Sequence, residues 1–103
     1  MNIGDWRALR PWADNFPYTV SKAALAPLTE SLAVALAPKI AVNALGAILL
    51  PSDGNKNPDI IKNAPLKRWA NPNEVEETLL FLLTSPINIT GEIIHVDGGR
   101  HLV

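Results

Sequence analysis

The feature that most constrains the fold is the alternation of strand-like and helix-like segments along the 103 residues. Short apolar runs typical of strands occupy 1–5, 40–45 and 92–96. Apolar residues recur at helical spacing over 17–37 and again from Pro72 onward. Strands that alternate with helices form a parallel sheet joined by right-handed crossovers. We therefore predict an α/β fold with about three parallel strands and two long helices.

Prolines interrupt this pattern in two ways. Pro27 lies inside the first helical segment and should bend that helix, because proline removes a backbone hydrogen bond. Residues 6–16 and 46–70 show no sustained periodicity, apart from a possible short helix at 59–63. An irregular stretch as long as 46–70 in a compact domain is often a functional lid or loop.

Composition excludes several classes of function. The net charge is −1, with both signs scattered along the chain, so no basic stripe marks a nucleic-acid partner. The chain has no cysteine, which excludes a disulfide framework and a thiolate metal site and suits a reducing compartment. Its apolar runs are too short for a membrane span, and its first residues do not resemble a signal peptide. We expect a soluble, cytoplasmic protein.

Tyr18 and Lys22 are the candidate catalytic pair. Four residues apart at the start of a helix, they lie on one face, one turn apart. A neighbouring ammonium favours the phenolate and should lower the pKa of the tyrosine toward neutrality, where general acid catalysis works best. Such a pair also arises by chance as a surface contact, so the spacing alone does not establish a function.

Across nearly its whole length the chain resembles the C-terminal part of a short-chain dehydrogenase/reductase. Tyr18-x-x-x-Lys22 resembles the catalytic segment of that family. Three further segments resemble later parts of the family's chain, in the same order. Residues 40–44 resemble the strand that follows, and residues 65–75 resemble the loop and helix after the substrate lid. Residues 89–99 resemble the last strand and its turn. The resemblance implies a Rossmann-type doubly wound parallel sheet.

Asp5 narrows the resemblance to one branch of the family. It stands 13 residues before Tyr18, where most members carry serine. Aspartate at this position resembles the pteridine reductases and the bacterial dihydromonapterin (dihydrofolate) reductases. Segments 46–51 and 97–102 are also similar to that branch.

The chain departs from the family in two places. Residues 1–103 contain no Gly-rich turn that could seat a dinucleotide pyrophosphate, so they correspond to the catalytic and substrate-binding part alone. For this reason we expect the chain to be inactive by itself. At residues 43–47 the family usually has a Pro-Gly pair and a loop that is about two residues longer than in this chain. In the family this loop meets the nicotinamide carboxamide.

The resemblance also implies a role for individual residues. The implied catalytic residues are Asp5, Tyr18 and Lys22. The implied cofactor contacts are Tyr18, Lys22, Gly46, Ala47 and Ile48. The implied substrate contacts are Trp6, Leu49 and Leu50, with Trp69 as a further candidate for the apolar slot. The implied cofactor is NADPH, with NADH as the alternative, the substrate is a pterin-like small molecule, and full-length relatives are homo-oligomers, either tetramers or dimers.

Each of these residues also has a purely structural interpretation. Asp5 could be a turn residue at the end of a strand. Trp6 and Trp69 could simply bury apolar area. Arg7 and Arg10 are most simply explained as solvated loop charges, with a role in substrate binding as the alternative. Two isolated histidines do not make a metal site.

Three functions remain open at this point. The first is a nicotinamide-dependent reductase of pterins, or the C-terminal part of one. The second is a general carbonyl or alcohol oxidoreductase of the same family, against which Asp5 argues because that reaction normally uses serine. The third is a non-catalytic remnant that acts only in assembly.

Overall fold

The computed structural model describes residues 1–10, 15–47, 58–84 and 88–103. Its three strands are β1 (Asn2–Asp5), β2 (Ala44–Ala47) and β3 (Ile93–Val96). They form one parallel sheet in the order β1-β2-β3. The α/β fold with a parallel sheet is thus confirmed.

Within the described residues, four α-helices and two short 3₁₀ helices accompany this sheet. The α-helices are α1 (Phe16–Ala23), α2 (Leu25–Leu36), α3 (Pro58–Lys62) and α4 (Pro72–Thr84). The 3₁₀ helices span Trp6–Leu9, directly after β1, and Arg100–Leu102, near the end of the chain. The predicted short helix at 59–63 corresponds to α3, and the two long helices correspond to α2 and α4. The prediction that 6–16 is entirely irregular was wrong, because the first 3₁₀ helix and the start of α1 lie there.

The predicted single bent helix over 17–37 is instead two helices separated at Ala24. Proline has no N–H, and its ring clashes with the carbonyl of the residue four positions earlier. For Pro27 that residue is Ala23, the last residue of α1. The interruption therefore lies one turn before the proline that causes it.

The middle strand begins later than predicted, at Ala44 rather than at residue 40. Residues just before it pair with the 89–92 segment through a mixture of backbone and side-chain hydrogen bonds. The Gly91 N–H donates to the Val42 carbonyl at 2.7 Å. Val42 N–H donates to Thr90 Oγ1 at 3.0 Å, and the Asn43 amide donates to the Ile89 carbonyl at 2.9 Å. These contacts replace the first part of the predicted strand.

The centre of the sheet is the best-buried part of the described chain. Leu45, in the middle of β2, is 0% exposed. Thr29 of α2 is also fully buried and accepts a hydrogen bond from the Asn2 amide at 2.9 Å. This bond fixes α2, and with it the preceding helix α1, against β1.

Helix α4 begins with the capping box that its sequence predicts. The Asn71 side chain accepts from Asn73 N–H at 3.0 Å, and the Glu74 carboxylate accepts from Asn71 N–H at 2.7 Å. Arg68 makes a bidentate pair with the same carboxylate, at 2.7 and 2.6 Å. Together these contacts hold the pKa of Glu74 at about 2, with the Arg68 hydrogen bonds as the largest cause.

Glu74 should therefore make folding depend on pH in the acid range. A carboxyl whose pKa is lower in the folded state stabilises that state above its unfolded pKa, and this contribution is lost as pH falls through the folded value. We expect Glu74→Gln to lower the melting temperature at neutral pH, and the difference from wild type to shrink between about pH 4.5 and pH 2. Melting curves across this range measure the effect. A difference that does not change with pH would show that the Glu74 charge is unimportant.

Candidate active site

Asp5 and Tyr18 form a direct hydrogen bond at the carboxyl end of β1. The Tyr18 hydroxyl donates to Asp5 Oδ2 at 2.5 Å, and Asp5 Oδ1 accepts from Arg7 N–H at 2.8 Å. The second bond caps the 3₁₀ helix that follows the strand. The structure thus brings together two residues 13 positions apart, and the fixed backbone contact orients the Asp5 carboxylate toward the phenol.

Lys22 lies beside the face of the Tyr18 ring. Its Nζ is 5.9 Å from the ring centroid and donates to the Ile3 carbonyl at 3.1 Å. The predicted proximity of the two side chains is therefore confirmed. The ammonium is anchored on the backbone of β1, with a protein acceptor for one of its three protons.

The predicted lowering of the Tyr18 pKa is wrong for this arrangement. The pKa of Tyr18 is raised to about 12 by burial, then by the hydrogen bond to Asp5 and the negative charge of that carboxylate. The positive charge of Arg7 opposes the rise. A carboxylate that accepts the phenolic proton stabilises the neutral phenol, so the pair holds a proton at Tyr18 Oη.

Around this pair lies an open cleft of about 350 Å³. Polar groups of Asp5, Arg7, Tyr18 and Lys22 line one part of it. The apolar lining comes mainly from four residues, Ile3, Trp6, Ile60 and Trp69. The combination of a few polar groups with apolar walls is typical of a small-molecule site.

The predicted substrate and cofactor contacts fall in three groups. Trp6 lines the cleft but is only 3% exposed, because most of its side chain is buried in a cluster with Ile60. Ala47 also lines the cleft, opposite Asp5 in the strand register, and Trp69 lines its apolar part. The remaining predicted contacts Ile48, Leu49 and Leu50 lie outside the described residues.

Gly46, a further predicted cofactor contact, is not among the residues that line this cleft. It lines a smaller neighbouring cavity that shares Gly4, Asp5 and Lys22 with the cleft. A Cβ at position 46 would lie 3.3 Å from His95 Cδ2, so the glycine also makes room for the imidazole. Its contact with the cofactor stays a prediction.

Arg7 and Ile60 line the cleft although sequence reasoning did not select them as site residues. Arg7 was interpreted as a solvated loop charge. Its position two residues after Asp5 is a usable signal, because an aspartate side chain often accepts from the backbone N–H two residues on. For Ile60 the sequence offers no such signal, since only the tertiary fold brings α3 against Trp6.

The two histidines form a separate cluster at the end of β3. The rings of His95 and His101 stack with centroids 4.0 Å apart, and His101 Nδ1 lies 2.8 Å from Asp97 Oδ2. The same carboxylate accepts from the backbone N–H of His101 and of Gly99, so it organises the terminal turn. In the described part of the chain, no group of three potential ligands could hold a metal ion.

Comparison with known proteins identifies the family. A protein-family model described as enoyl-(acyl carrier protein) reductase matches residues 1–101 of the chain. The chain belongs to the short-chain dehydrogenase/reductase family. None of its helices, within the residues that the structure describes, is long and apolar enough to cross a membrane.

Individual relatives include both carbonyl and pterin enzymes. The zebrafish (Danio rerio) carbonyl reductase family member 4 is 38% identical over 107 residues, which cover 100% of this chain and 45% of that protein. Dihydromonapterin reductase of Citrobacter koseri is 38% identical over 89 residues, covering 82% of this chain and 37% of the relative. The chain therefore spans less than half the length of these relatives.

A solved structure agrees with this assignment. FolM alternative dihydrofolate reductase 1 from Brucella canis, complexed with NADP, superposes with a TM-score of 0.85 and 37% identity. The match covers 99% of this chain and 42% of that structure.

The titration of Tyr18 provides a direct test of its contact with Asp5. Asp5→Asn removes the negative charge and the strong acceptor, which are two of the three causes that raise the phenol pKa. We expect the titration midpoint to fall from about 12 toward 10.0. Tyr18 is the single tyrosine of the chain, so the ultraviolet absorbance of the phenolate reports this group alone. An unchanged midpoint would mean that the two side chains are not in contact in solution.

Proposed function

We propose that this chain forms the substrate-binding and proton-donating part of an NADPH-dependent reductase of dihydropteridines. The observation that carries the proposal is the hydrogen bond between Tyr18 and Asp5 in the cleft. The tyrosine that corresponds to the catalytic tyrosine of the family is paired here with a carboxylate rather than with a serine hydroxyl. Relatives named for dihydromonapterin and dihydrofolate reduction support the pterin assignment.

Asp5 provides the feature that would select a pterin. An ionised carboxylate has about four acceptor positions, and the two contacts to Tyr18 and Arg7 leave room for others. The amino and ring N–H groups of a pterin are donors, and hydrogen bonds to a charged acceptor are roughly twice as strong as neutral ones. A simple carbonyl substrate offers no such donor.

Tyr18 would give the proton that reduction of a C=N bond requires at nitrogen. Its phenol is protonated at neutral pH, and the surroundings that raise its pKa to about 12 make it hold the proton more tightly than a free tyrosine does. A group that holds its proton until the substrate accepts it can act as a general acid. Through its hydrogen bond, Asp5 would keep the Tyr18 hydroxyl oriented before the proton is transferred.

The side chains of Tyr18 and Lys22 fit the ribose of a nicotinamide nucleotide. The Lys22 ammonium has three N–H donors and uses one on the Ile3 carbonyl, which leaves two for ribose hydroxyls. Ala47, which lines the same cleft and pairs with Asp5 in the sheet, is a further residue that would help to hold the cofactor. When bound, the cofactor supplies the hydride, and the residues of this chain hold it and provide the proton.

A second candidate function is reduction of simple carbonyl compounds. The 38% identity with a carbonyl reductase over the whole chain favours it. The two candidates differ in what they require of position 5. Carbonyl reduction needs a hydroxyl donor near the substrate oxygen, whereas pterin reduction benefits from a charged acceptor.

The Asp5→Ser variant separates these functions. The assay uses a chimera in which this chain replaces the matching part of Citrobacter koseri dihydromonapterin reductase, with loss of NADPH absorbance as the readout. We expect kcat/KM for a dihydropteridine to fall by about tenfold or more, as for the loss of one charged hydrogen bond, and kcat/KM for a simple carbonyl to change less. The unaltered chimera is the control. Equal damage to both substrates would identify Asp5 as a structural residue and remove the main support for the pterin assignment.

A further inference from the structure

Arg100 and His101 are neighbours in the second 3₁₀ helix, and they contact different parts of the fold. The His101 ring stacks on His95 of β3, with centroids 4.0 Å apart, and its Nδ1 lies 2.8 Å from Asp97 Oδ2. The Arg100 guanidinium carbon lies 4.8 Å from the centroid of the Trp6 ring, within the range of a cation–π contact. Since Trp6 lines the cleft, this helix connects the histidine stack with the candidate active site.

A buried carboxylate balances the basic groups at this end of the sheet. Asp97 is 1% exposed, and besides binding His101 it accepts from Gly99 N–H at 3.0 Å. Arg100 is also buried and carries a permanent positive charge. The Asp97 charge opposes the fall in the Arg100 pKa that burial and Arg10 cause. Each proton taken up by the histidines therefore adds positive charge near a carboxylate that already balances an arginine.

Four further charged side chains line cavities next to His95 in the described part of the chain. Two of them, Arg68 and Glu74, form an ion pair with each other. The other two, Asp5 and Lys22, have the hydrogen bonds of the candidate active site. A proton on His95 would thus meet no carboxylate that lacks a partner.

Protonation of His95 is accordingly disfavoured in the folded chain. Burial holds the pKa of His95 below its usual value of 6.5, and His101 lowers it further, while Asp97 opposes the shift. A base whose pKa is lower in the folded state stabilises that state above its unfolded pKa, and this contribution is lost as the pH falls through the folded value. The pH range of interest therefore begins near 6.5 and extends below it.

The 3₁₀ helix is the partner in the stack that can move. His95 belongs to β3, which pairs with β2 along all four of its residues. The helix spans three residues, with backbone hydrogen bonds from Leu102 N–H to the Gly99 carbonyl at 3.1 Å and from Val103 N–H to the Arg100 carbonyl at 3.4 Å. Short segments near a chain end open more easily than paired strands. Two positive imidazoles at this separation repel each other, so the helix would be displaced before the strand.

We propose that protonation of the His95–His101 stack displaces the 3₁₀ helix Arg100–Leu102 and moves Arg100 away from Trp6, so that the shape of the cleft depends on pH. Arg100 is then a positioning residue, because it contacts a residue of the cleft lining rather than the reacting groups. The inference concerns the chain without cofactor or substrate, so it does not depend on the proposed reductase function.

The experiment follows the indole N–H resonance of Trp6 in the ¹⁵N-labelled 103-residue chain between about pH 7.5 and about pH 5. Glu74 keeps its charge throughout this range, since its pKa is about 2. The ring protons of the two histidines are titrated in the same samples and assigned with the variants. Far-ultraviolet circular dichroism at each pH confirms that the chain is folded.

We expect the Trp6 resonance to shift with the same midpoint as His95, below pH 6.5. His95→Phe keeps an aromatic ring in the stack but cannot take up the proton, so the Trp6 shift should disappear. His101→Phe removes the second charge of the stack and should have the same effect, which keeps the test decisive if one of these variants does not fold. In Arg100→Met, His95 should still titrate, but the Trp6 resonance should no longer follow it.

Lys39→Met is the matched control, since it removes an exposed positive charge that lines neither of the cavities next to His95. It should leave both the His95 midpoint and the Trp6 shift unchanged. The inference is overturned if the Trp6 resonance stays constant while His95 titrates. It is equally overturned if the Trp6 shift persists in the folded histidine variants or in Arg100→Met.

Discussion

Replacing Tyr18 with phenylalanine is expected to lower kcat of the chimera by about 10²- to 10⁴-fold, the usual range for loss of a general acid. The substitution removes the hydroxyl that donates to Asp5 at 2.5 Å and leaves the ring in place. NADPH consumption with a dihydropteridine measures the loss. Adding Asp5→Ala to this variant should lower kcat little further, since groups that work as a unit lose activity non-additively, whereas KM for the dihydropteridine should rise because the direct contact of Asp5 with the pterin is also lost.

Two further variants sharpen this prediction. Lys22→Met should weaken NADPH binding, because the proposed mechanism assigns the free donors of the Lys22 ammonium to the ribose hydroxyls. Ser21→Ala removes a hydroxyl from the same helix that donates to the Tyr18 backbone carbonyl at 2.7 Å, so it should leave kcat within a few-fold. Turnover by Tyr18→Phe at the level of Ser21→Ala would contradict a proton-donating role for the phenol.

The largest expected effect on stability is at the centre of the sheet. Leu45 is 0% exposed in the middle strand β2, so Leu45→Ala removes buried methyl groups and leaves a cavity between layers that relax only partly. We expect a loss of about 2–5 kcal/mol in the free energy of unfolding. Chemical denaturation followed by circular dichroism measures it as a lower midpoint.

Val34→Ala is the matched control for this experiment. Val34 lies in α2 and is 81% exposed, so its truncation should change the free energy of unfolding by no more than about 0.5 kcal/mol. Equal effects at the two positions would mean that β2 is not the buried centre of the fold in solution.

The sequence predicts the architecture because its local signals agree with one another. Apolar runs and helical spacing give the right order of strands and helices, and the capping box places the start of α4 at Pro72. Predicted boundaries fail where side-chain hydrogen bonds are mixed with the backbone pairing of a strand. Asn43 is an example, since its side-chain amide donates to the Ile89 carbonyl just before β2 begins. Sequence patterns carry little information about such long-range contacts.

For the candidate site, the sequence provides the residues but not their electrostatics. The helical spacing of Tyr18 and Lys22 and the placement of Asp5 at the end of β1 follow from local periodicity and the family resemblance. The direction of the Tyr18 pKa does not, because it depends on which charge lies nearest the hydroxyl and on how deeply the ring is buried.

What the sequence by itself determined is the order of elements, the parallel sheet and the family to which the chain belongs. What the tertiary structure alone decided is that the surroundings of Tyr18 raise its pKa instead of lowering it, and that Arg7 and Ile60 share its cleft. The physical reason is one of range. Periodicity and capping act over a few residues, whereas hydrogen bonds, burial and charge interactions act between residues that only the folded chain brings together.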